Sequence, residues 1–318
     1  MKNNRAGANV LITGAAGNIG SALTAALLKK GDFRVLAADN LTTGARNKLP
    51  ANSDSFRFIK TDVNHHPEIS SIFYANRFDY VFHFAAVVGV QRTLANPLLV
   101  LEDIEGIKNI LSLSKNCAVK RVFYSSSSEV YGEPVSFPQH EETTPLNSRL
   151  PYAIVKNIGE SFFRSYHEEH GLDYTIFRFF NTYGPNQSED FVVPRFLNAA
   201  LRGEPIPIYG DGKQTRTFCY IDDNTETIVR CLEKGLFVND VLNVGSDVEH
   251  SVLALAKLIC RLTGSKSAIQ HRPALKEGDM TRRRPDISKM KQVLDRPLLP
   301  VEQGIERLLE HKSKQAEA

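Results

Sequence analysis

The stretch that decides the fold class is VLITGAAGNIGSALTAALLKKG, residues 10–31. It opens with an apolar run typical of a buried strand and closes with a helical pattern, and Gly14, Gly17 and Gly20 lie between the two as G-x-x-G-x-x-G. Residues without a side chain let the backbone approach a pyrophosphate, which then binds the N–H groups at the positive end of the helix. A strand, a glycine turn and a helix in this order indicate a dinucleotide-binding unit.

Acidic residues at the ends of the next two apolar runs specify the dinucleotide. Asp39 ends the second run, about 20 residues after the glycine turn, where a carboxylate accepts hydrogen bonds from the adenosine ribose. The same carboxylate would repel a 2′-phosphate, so NAD is favoured over NADP. A cap or turn role for Asp39 is the structural alternative. Asn40, and Asp62 and Val63 at the end of the third run, are predicted to bind the adenosine half of the cofactor.

Apolar runs alternate with helical patterns over the first half of the chain. Near-continuous apolar runs are typical of strands covered on both faces. Such strands are predicted at residues 9–13, 34–38, 56–59, 80–84, 121–125 and 175–179. Helices are predicted at residues 21–30, 97–116 and 152–170. This alternation predicts an α/β fold with a doubly wound parallel sheet.

The regular alternation ends after Asn181, where loops with glycine and proline follow. One later apolar run, residues 241–244, is expected to return to the main sheet. We predict a cofactor-binding domain at residues 1–181 plus about 217–263, and a smaller interleaved C-terminal substrate lobe at about 182–216 plus 264–318. The lobe is expected to cover the carboxyl edge of the sheet, where open α/β sheets bind ligands.

Composition and charge exclude several classes of protein. Lysine and arginine total 39 against 36 acidic residues, a formal net charge of +3, which is too even for a protein that wraps nucleic acid or lies on an anionic membrane. The four cysteines are far apart and form no C-x-x-C pair, so neither a metal site nor a disulfide framework is predicted. A polar N-terminus, and the lack of any run of about 18 apolar residues, favour a soluble cytoplasmic protein.

A hydroxyl-rich cluster, YSSSSEVYG at residues 124–132, overlaps the end of the fifth apolar run. A buried strand has no use for such a cluster unless a polar ligand binds there. Downstream, PYAIVK places Tyr152 and Lys156 on one helical face. Because a free tyrosine titrates near pH 10, its use as a base near neutral pH requires the pKa to fall by about three units, or about 4 kcal/mol. A neighbouring ammonium and a positive nicotinamide ring are able to supply that change.

These motifs together resemble one family over nearly the whole chain, the extended short-chain dehydrogenase/reductases that modify nucleotide-diphosphate sugars with a tightly held NAD. TGAAGNIG, with Asn18 and Ile19, is similar to the family's cofactor loop, and HFAA, with Ala85, to its fourth-strand motif. SSSSEVYG is similar to the strand that bears the catalytic hydroxyl, and PYAIVK to the catalytic helix. RFFNTYGP, IPIYGDGKQTRTF and GDMTRRRPDIS are similar to its sugar-nucleotide segments. The resemblance implies a Rossmann fold and an NAD-dependent enzyme.

The resemblance also implies roles for single residues. Ser127 would hydrogen-bond the sugar 4-hydroxyl, Tyr152 would take its proton, and Lys156 would hold the nicotinamide ribose and lower the pKa of Tyr152. Hydride would then pass from C4 to NAD, which leaves a 4-keto sugar. Amides and planar guanidinium groups suit the diphosphate of the substrate, which is expected to be a UDP-sugar. The implied substrate site consists of Asn181, Val193, Arg216 and one or more of Arg282, Arg283 and Arg284.

One position departs from the family's pattern. Asp103, three residues before Gly106, stands where the family usually has asparagine. If this position touches the cofactor or the active-site backbone, the added carboxylate changes the hydrogen bonding there.

Ser128 and Glu129 bear on the fate of the 4-keto sugar. A C4 epimerase needs only that the sugar rotate and recover hydride, and AAVVGVQRTLANP resembles the epimerases' loop, so C4 epimerisation ranks first. UDP-glucuronate decarboxylases resemble the chain in S-E-V-Y-G, Q-T-R-x-F and R-x-P-D-I, and decarboxylation ranks second. Dehydratases use Asp then Glu at these positions, and Ser128 lacks that acid, so dehydration ranks third. Alternatively, Glu129 only orients a water or the neighbouring backbone.

Two further expectations concern protein class and assembly. A catalytically silent NAD-binding regulator is disfavoured, because such proteins usually lose one of the catalytic pair, and Tyr152 and Lys156 are both present. Bulky apolar positions cover more than one stripe of the predicted helices at 97–116 and 152–170. Since family members commonly dimerise by pairing these helices, a homodimer is predicted.

Overall fold

The computed structural model describes residues 7–273 and 281–316. The strands are β1 (Ala8–Thr13), β2 (Phe33–Asp39), β3 (Phe56–Lys60), β4 (Tyr80–His83), β5 (Arg121–Ser127), β6 (Asp173–Phe179), β7 (Thr182–Tyr183), β8 (Ile206–Tyr209), β9 (Thr215–Thr217), β10 (Cys219–Tyr220), β11 (Asp240–Val244), β12 (Glu249–Ser251) and β13 (Ile269–Arg272). The helices are α1 (Asn18–Lys30), α2 (His66–Ala75), α3 (Val90–Ala95), α4 (Pro97–Asn116), α5 (Pro151–His170), α6 (Val192–Arg202), α7 (Ile221–Glu233), α8 (Val252–Thr263), α9 (Ser288–Leu294) and α10 (Val301–Ala316).

Within the described residues, seven parallel strands form the central sheet in the order β11-β6-β5-β4-β1-β2-β3. The predicted doubly wound sheet is therefore confirmed, and the apolar run at 241–244 returns to it as β11, beside β6. The strand order reverses between β1 and β4. Such a switch point opens a crevice at the carboxyl ends of the strands, where α/β sheets bind ligands.

The fifth strand is longer than its apolar run predicts. β5 extends to Ser127, which pairs in register with Phe179 of β6, and every residue of β5 is buried. The hydroxyls of the serine cluster are thus part of the sheet itself. Their backbone groups are satisfied by the parallel ladder, so a polar strand end is tolerated as long as its side chains also find partners.

Apolar side chains on both faces of the sheet explain its near-continuous apolar strands. Along β1, Val10 and Ile12 belong to the core cluster that includes α1, α7 and α9, whereas Leu11 belongs to the cluster that includes α2, α4 and α5. Alternate strand residues point to opposite faces, so both faces must be apolar when both are covered by helices.

A third core cluster lies in the C-terminal half and joins α6, α8 and α10 with the short strands β7, β8 and β10. The predicted domain boundaries stay a prediction. We propose one adjustment to them, in which α8 belongs to the substrate lobe and α9 to the cofactor-binding domain. The reason is that α8 packs in this third cluster, whereas Met290, Val293 and Leu294 of α9 pack against the sheet. In the parts of the chain that the structure describes, no helix combines the length and the apolarity needed to cross a membrane.

Candidate active site

One cleft at the carboxyl edge of the sheet collects most of the predicted site residues. From the predicted cofactor set, the cleft is lined by Gly14, Gly17, Asn18, Ile19, Gly20, Asp39, Asn40, Asp62, Val63 and Ala85. From the predicted catalytic and substrate sets, it is lined by Ser127, Ser128, Glu129, Tyr152, Lys156, Asn181 and Arg283. The fold therefore brings residues from most of the chain to a single site, while their individual roles stay predictions.

The glycine turn between β1 and α1 leaves bare backbone at the cleft. Gly14 has φ +67°, and a Cβ atom there would lie 2.6 Å from the backbone nitrogen of Ala85. A Cβ on Gly20 would collide with the Gly14 carbonyl, so α1 could not approach the turn. Helix α1 begins at Asn18, whose buried Oδ1 accepts no hydrogen bond from the described residues. An open helix N-terminus and an unsatisfied polar atom suit a phosphate-bearing ligand.

Asp39 at the end of β2 is buried and accepts two backbone hydrogen bonds. The N–H of Ala16 donates to Oδ2 at 2.9 Å, and the N–H of Leu41 donates to Oδ1 at 2.8 Å. The carboxylate therefore ties the glycine turn to β2, which supports the structural alternative. It does not exclude the ribose role, because an ionised carboxylate has about four acceptor sites and two remain.

The predicted adenosine-binding residues form one connected group. Asn40 Nδ2 donates to Asp62 Oδ2 at 3.1 Å, and the N–H of Asn64 donates to Asp62 Oδ1 at 2.9 Å. Asn109 of α4 donates from Nδ2 to the Val63 carbonyl at 2.9 Å. These bonds hold the segments that follow β2 and β3 against each other and against α4.

A threonine and a histidine join β1 to β4 at the switch point. Thr13 Oγ1 lies 2.9 Å from His83 Nδ1 and accepts a hydrogen bond from the Ala85 N–H at 3.3 Å. Burial, followed by the charge of Lys156, lowers the pKa of His83 to about 3. His83 is therefore uncharged near neutral pH, and its contacts place Ala85 beside the glycine turn.

The predicted catalytic residues meet where β5 and α5 come together. Tyr152 and Lys156 lie one turn apart on α5, and Tyr152 hydrogen-bonds Ser127 at the end of β5. Lys156 Nζ donates to Ser125 Oγ at 3.4 Å. The ammonium also lies 5.0 Å from the ring centroid of Tyr124 and 5.8 Å from that of Tyr152. This arrangement brings a phenol, a hydroxyl and an ammonium together at one end of the cleft.

The pKa values of this group differ from the expectation drawn from the sequence. Burial raises the pKa of Tyr152 well above its usual value, and the hydrogen bond with Ser127 opposes this effect. Burial lowers the pKa of Lys156 to about 8, and the charge of Asp103 opposes that. Groups of the chain alone therefore do not lower the pKa of Tyr152. A lowered pKa stays a prediction that depends on a positive charge on bound cofactor.

Glu129 and Arg283 form a buried ion pair in the cleft. Arg283 Nη2 lies 2.7 Å from Glu129 Oε1, and the two side chains are 6% and 14% exposed. Arg283 Nη1 also donates to Ser128 Oγ at 3.4 Å. Glu129 Oε2 is buried and accepts no hydrogen bond from the described residues. The charge of Glu129 raises the pKa of Tyr152 and that of Arg283 lowers it, so the pair lies close to the phenol.

A second buried ion pair fixes α5 against the sheet. Arg178 of β6 binds Glu160 of α5 through two hydrogen bonds of 2.8 and 2.7 Å, and both side chains are at most 1% exposed. Ser126 Oγ donates to Glu160 at 2.6 Å, and Arg178 donates to the Tyr131 hydroxyl at 2.8 Å. Because Glu160 lies one turn beyond Lys156, this pair holds the catalytic helix against β5 and β6.

The remaining predicted substrate residues divide into two groups. Asn181 lines the cleft with φ +36°, and its buried Nδ2 donates to no described residue. Val193, Arg216 and Arg282 are not among the cleft-lining residues of the described chain. Val193 is buried in the third core cluster, and Arg282 binds Glu249 through hydrogen bonds of 2.7 and 2.6 Å. Their substrate roles stay predictions.

Sequence reasoning missed the two pairs above and also a third ion pair at the cleft. Arg92 Nη2 lies 2.8 Å from Asp190 Oδ2, which joins the segment after β4 to the loop before α6. Arg92 lines the cleft. The two residues are 98 positions apart, and no local pattern signals their contact. Residues 278–280, which begin the GDMTRRRPDIS motif, lie outside the described residues.

The glycine turn, the acidic end of β2 and the open N-terminus of α1 suit a bound dinucleotide, because Cβ atoms would fill the space at Gly14 and Gly20. A comparison with known families agrees: residues 10–245 match the NAD dependent epimerase/dehydratase family. The chain belongs to this family. The cofactor of this family is NAD.

Individual relatives cover nearly the whole chain. The chain is 32% identical to UDP-glucuronic acid decarboxylase 1 of Danio rerio, over 97% of this chain and 73% of the relative. It is 34% identical to UDP-N-acetyl-alpha-D-glucosaminuronate decarboxylase of Bacillus cytotoxicus, over 94% of this chain and 96% of the relative. Among solved structures, UDP-glucose 4-epimerase of Thermotoga maritima with UDP-glucose superposes with a TM-score of 0.90 at 32% identity, over 97% of this chain and 99% of that one. Both reaction types thus occur among its relatives.

Proposed function

We propose that this enzyme transiently oxidises C4 of a UDP-sugar and that its overall reaction is the decarboxylation of a UDP-uronate. The observation that carries this choice is the buried Arg283–Glu129 pair near Tyr152. A guanidinium group has five N–H donors, so Arg283 is able to bind a carboxylate while it remains bound to Glu129. C4 epimerisation of a neutral sugar needs no such cation.

Each residue has a defined part in the proposed reaction. Tyr152 takes the proton of the 4-hydroxyl, and Ser127 holds that oxygen by a hydrogen bond. Bound NAD supplies the site that accepts hydride from C4 and later returns it. The resulting ketone makes the C6 carboxylate that of a β-keto acid. When the C5–C6 bond breaks, carbon dioxide leaves and the electron pair moves onto the C4 oxygen, where Tyr152 and Ser127 donate hydrogen bonds. A proton from solvent water then adds to C5, which restores the 4-ketone that accepts the returning hydride.

Arg283 has a positioning part in this scheme. The guanidinium would bind the C6 carboxylate and fix the sugar, while Glu129 and Ser128 hold the guanidinium itself. Relatives of the chain with UDP-uronate decarboxylase names support the same choice.

C4 epimerisation is the second candidate. The AAVVGVQRTLANP loop supports it, as does the similarity to a UDP-glucose 4-epimerase structure. Dehydration ranks behind both, because Ser128 stands where a dehydratase needs an acid.

Proton NMR and mass spectrometry of product mixtures separate these candidates. The enzyme is incubated in turn with UDP-glucuronate, UDP-N-acetylglucosaminuronate, UDP-glucose and UDP-N-acetylglucosamine. Decarboxylation predicts that a uronate loses the mass of carbon dioxide and its C6 carbon. Epimer formation without a mass change, and with no uronate turnover, would refute the proposed reaction in favour of the second candidate. Tyr152→Phe is the control, because it should stop either reaction.

We also propose a homodimer formed by α4 and α5. These helices pack side by side, and they leave apolar side chains exposed: Leu98 is 76% exposed, Leu101 39% and Ile154 38%. Exposed leucine and isoleucine side chains on adjacent helices are typical of a helical interface between subunits. Light scattering coupled to size exclusion should give twice the chain mass, and Leu98→Glu together with Leu101→Glu should give monomers. A wild-type monomer at micromolar concentration would refute the dimer.

A further inference from the structure

The cleft contains a carboxylate that the reaction scheme above does not use, that of Asp103 in α4. We propose that Asp103 is a positioning residue, which acts as the counter-ion of Lys156 and anchors the backbone segment after β4. The inference rests on the proposed function in one respect only, the membership of Lys156 in the catalytic group.

Hydrogen bonds fix the Asp103 carboxylate on the wall of the cleft. The N–H of Val87, in the cleft-lining segment after β4, donates to Oδ2 at 2.8 Å. The side chain of Asn64 also hydrogen-bonds Asp103. One turn further along α4, a Cβ on Gly106 would lie 2.5 Å from Asn64 Oδ1, so glycine lets the helix approach the segment that carries Asn64. The carboxylate is therefore held between two chain segments that meet at the cofactor site.

Lys156 needs a counter-ion because of where it lies. The side chain is 3% exposed, and its ammonium contacts the Ser125 hydroxyl and the ring faces of Tyr124 and Tyr152. With the groups of the chain alone, none of these contacts carries a negative charge near neutral pH. An ammonium buried without charge compensation is costly and tends to lose its proton. Burial raises the pKa of Asp103 and lowers that of Lys156, and in each case the charge of the other group opposes the effect, as expected of two opposite charges close together.

Other titratable groups around this pair do not replace the Asp103 charge. On β4, His83 is uncharged, with a pKa of about 3. On β5 and α5, burial raises the pKa values of Tyr124 and Tyr152, so the groups of the chain alone leave both uncharged near neutral pH. Asp62, beyond β3, acts on Asp103 and raises its pKa. Glu160, one turn beyond Lys156, is paired with Arg178, and Glu129 is paired with Arg283. Asp103 is thus the carboxylate whose charge raises the pKa of Lys156.

Replacement of Asp103 by asparagine separates its charge from its hydrogen bonds. The amide of Asp103→Asn keeps an oxygen for the Val87 N–H while it removes the charge. Glu105→Gln is the matched control, since Glu105 is exposed on the same helix and pairs with Lys108 at 2.9 Å. Lys156 is titrated directly by trace acetic anhydride labelling at increasing pH, with mass spectrometry of the peptide that contains it. The same pH series records the rate at which UDP-glucuronate reduces the bound cofactor, by absorbance.

The wild-type labelling midpoint is expected near pH 8, the value to which burial lowers the pKa of Lys156. In Asp103→Asn, the midpoint should fall by about one pH unit, the lower end of the range for loss of a nearby opposite charge. The rate of cofactor reduction should then begin to fall at a correspondingly lower pH. Glu105→Gln should match the wild type in both measurements.

An unchanged midpoint in Asp103→Asn would overturn the counter-ion assignment, even if activity fell. If circular dichroism shows that Asp103→Asn does not fold, Asp103→Ser is measured instead. Serine is small and uncharged, and its hydroxyl is able to accept a hydrogen bond from the Val87 N–H. Lysine titration does not depend on which sugar reacts. A shifted midpoint without uronate turnover would therefore support the role of Asp103 while refuting the decarboxylase proposal.

Discussion

Glu129→Gln is the substitution that most sharply tests the proposed reaction. The pair that it breaks has an N–O separation of 2.7 Å and side chains that are 6% and 14% exposed. Removal of one partner of a buried pair typically lowers the free energy of unfolding by about 3–5 kcal/mol, because the other charge is left uncompensated. Since Glu129 borders the cleft, where water has access, we expect the lower end, about 3 kcal/mol. Arg283 would keep its weaker contact with Ser128 at 3.4 Å and would shift.

A shifted Arg283 should affect decarboxylation far more than folding. Misplacement of a substrate-positioning group by about 1 Å costs about a hundredfold in rate. We therefore expect the rate of carbon dioxide release from UDP-glucuronate, followed by NMR, to fall about a hundredfold in Glu129→Gln. Glu142→Gln is the matched control, because Glu142 is 70% exposed and lies 3.7 Å from Lys289. A wild-type rate of release in a folded Glu129→Gln variant would refute the reasoning, since the pair would then be dispensable for the reaction.

Three further predictions concern the cofactor, the catalytic helix and pH. Gly14→Ala should abolish NAD retention in the purified protein, measured by absorbance after denaturation, because its Cβ would lie 2.6 Å from the Ala85 nitrogen at φ +67°. Glu160→Gln should lower the free energy of unfolding by about 3–5 kcal/mol in urea titrations, because it leaves Arg178 charged and buried. The pKa of Lys156 is about 8 in the folded chain, against an ordinary value of 10.5. Between pH 8 and pH 10.5 the lysine is therefore protonated in the unfolded state and deprotonated in the folded state. Stability relative to Lys156→Gln should therefore rise from pH 8 towards pH 10.5, by about 1.4 kcal/mol per unit.

Each of these predictions has its own contrary result. NAD at wild-type stoichiometry in Gly14→Ala would show that the turn tolerates a side chain. For the catalytic helix, Glu169→Gln is the control, an exposed glutamate on α5, and an equal small loss in both variants would contradict the role of the buried pair. For Lys156, a stability difference that is flat with pH would mean that its pKa is not depressed.

Much of the cofactor site is predictable from sequence because its determinants are local. The strand, the glycine turn and the start of α1 are contiguous, so their order alone specifies the backbone path. Tyr152 and Lys156 are predictable for the same reason, since a spacing of four residues on a helix puts two side chains on one face.

The sugar end of the cleft is much less predictable. Arg283 and Glu129 are far apart in the chain, and no spacing rule selects Arg283 over Arg282, which turns instead to Glu249. The serine cluster gives no sign that Ser127 belongs to the sheet, because parallel pairing with Phe179 decides this. Asp103 is visible in the sequence as a departure from a family pattern, but its relation to Lys156 is not.

Sequence by itself determined the α/β class, the dinucleotide turn and the helical face shared by the phenol and the ammonium. Only the tertiary structure decided which arginine enters the cleft, and that the chain raises the pKa of Tyr152 rather than lowering it. Backbone conformation follows from neighbours within a few residues, so it can be inferred from local patterns. Desolvation and Coulomb interactions instead sum over groups from every part of the chain, so the charge state of a buried side chain is set only when these groups are brought together.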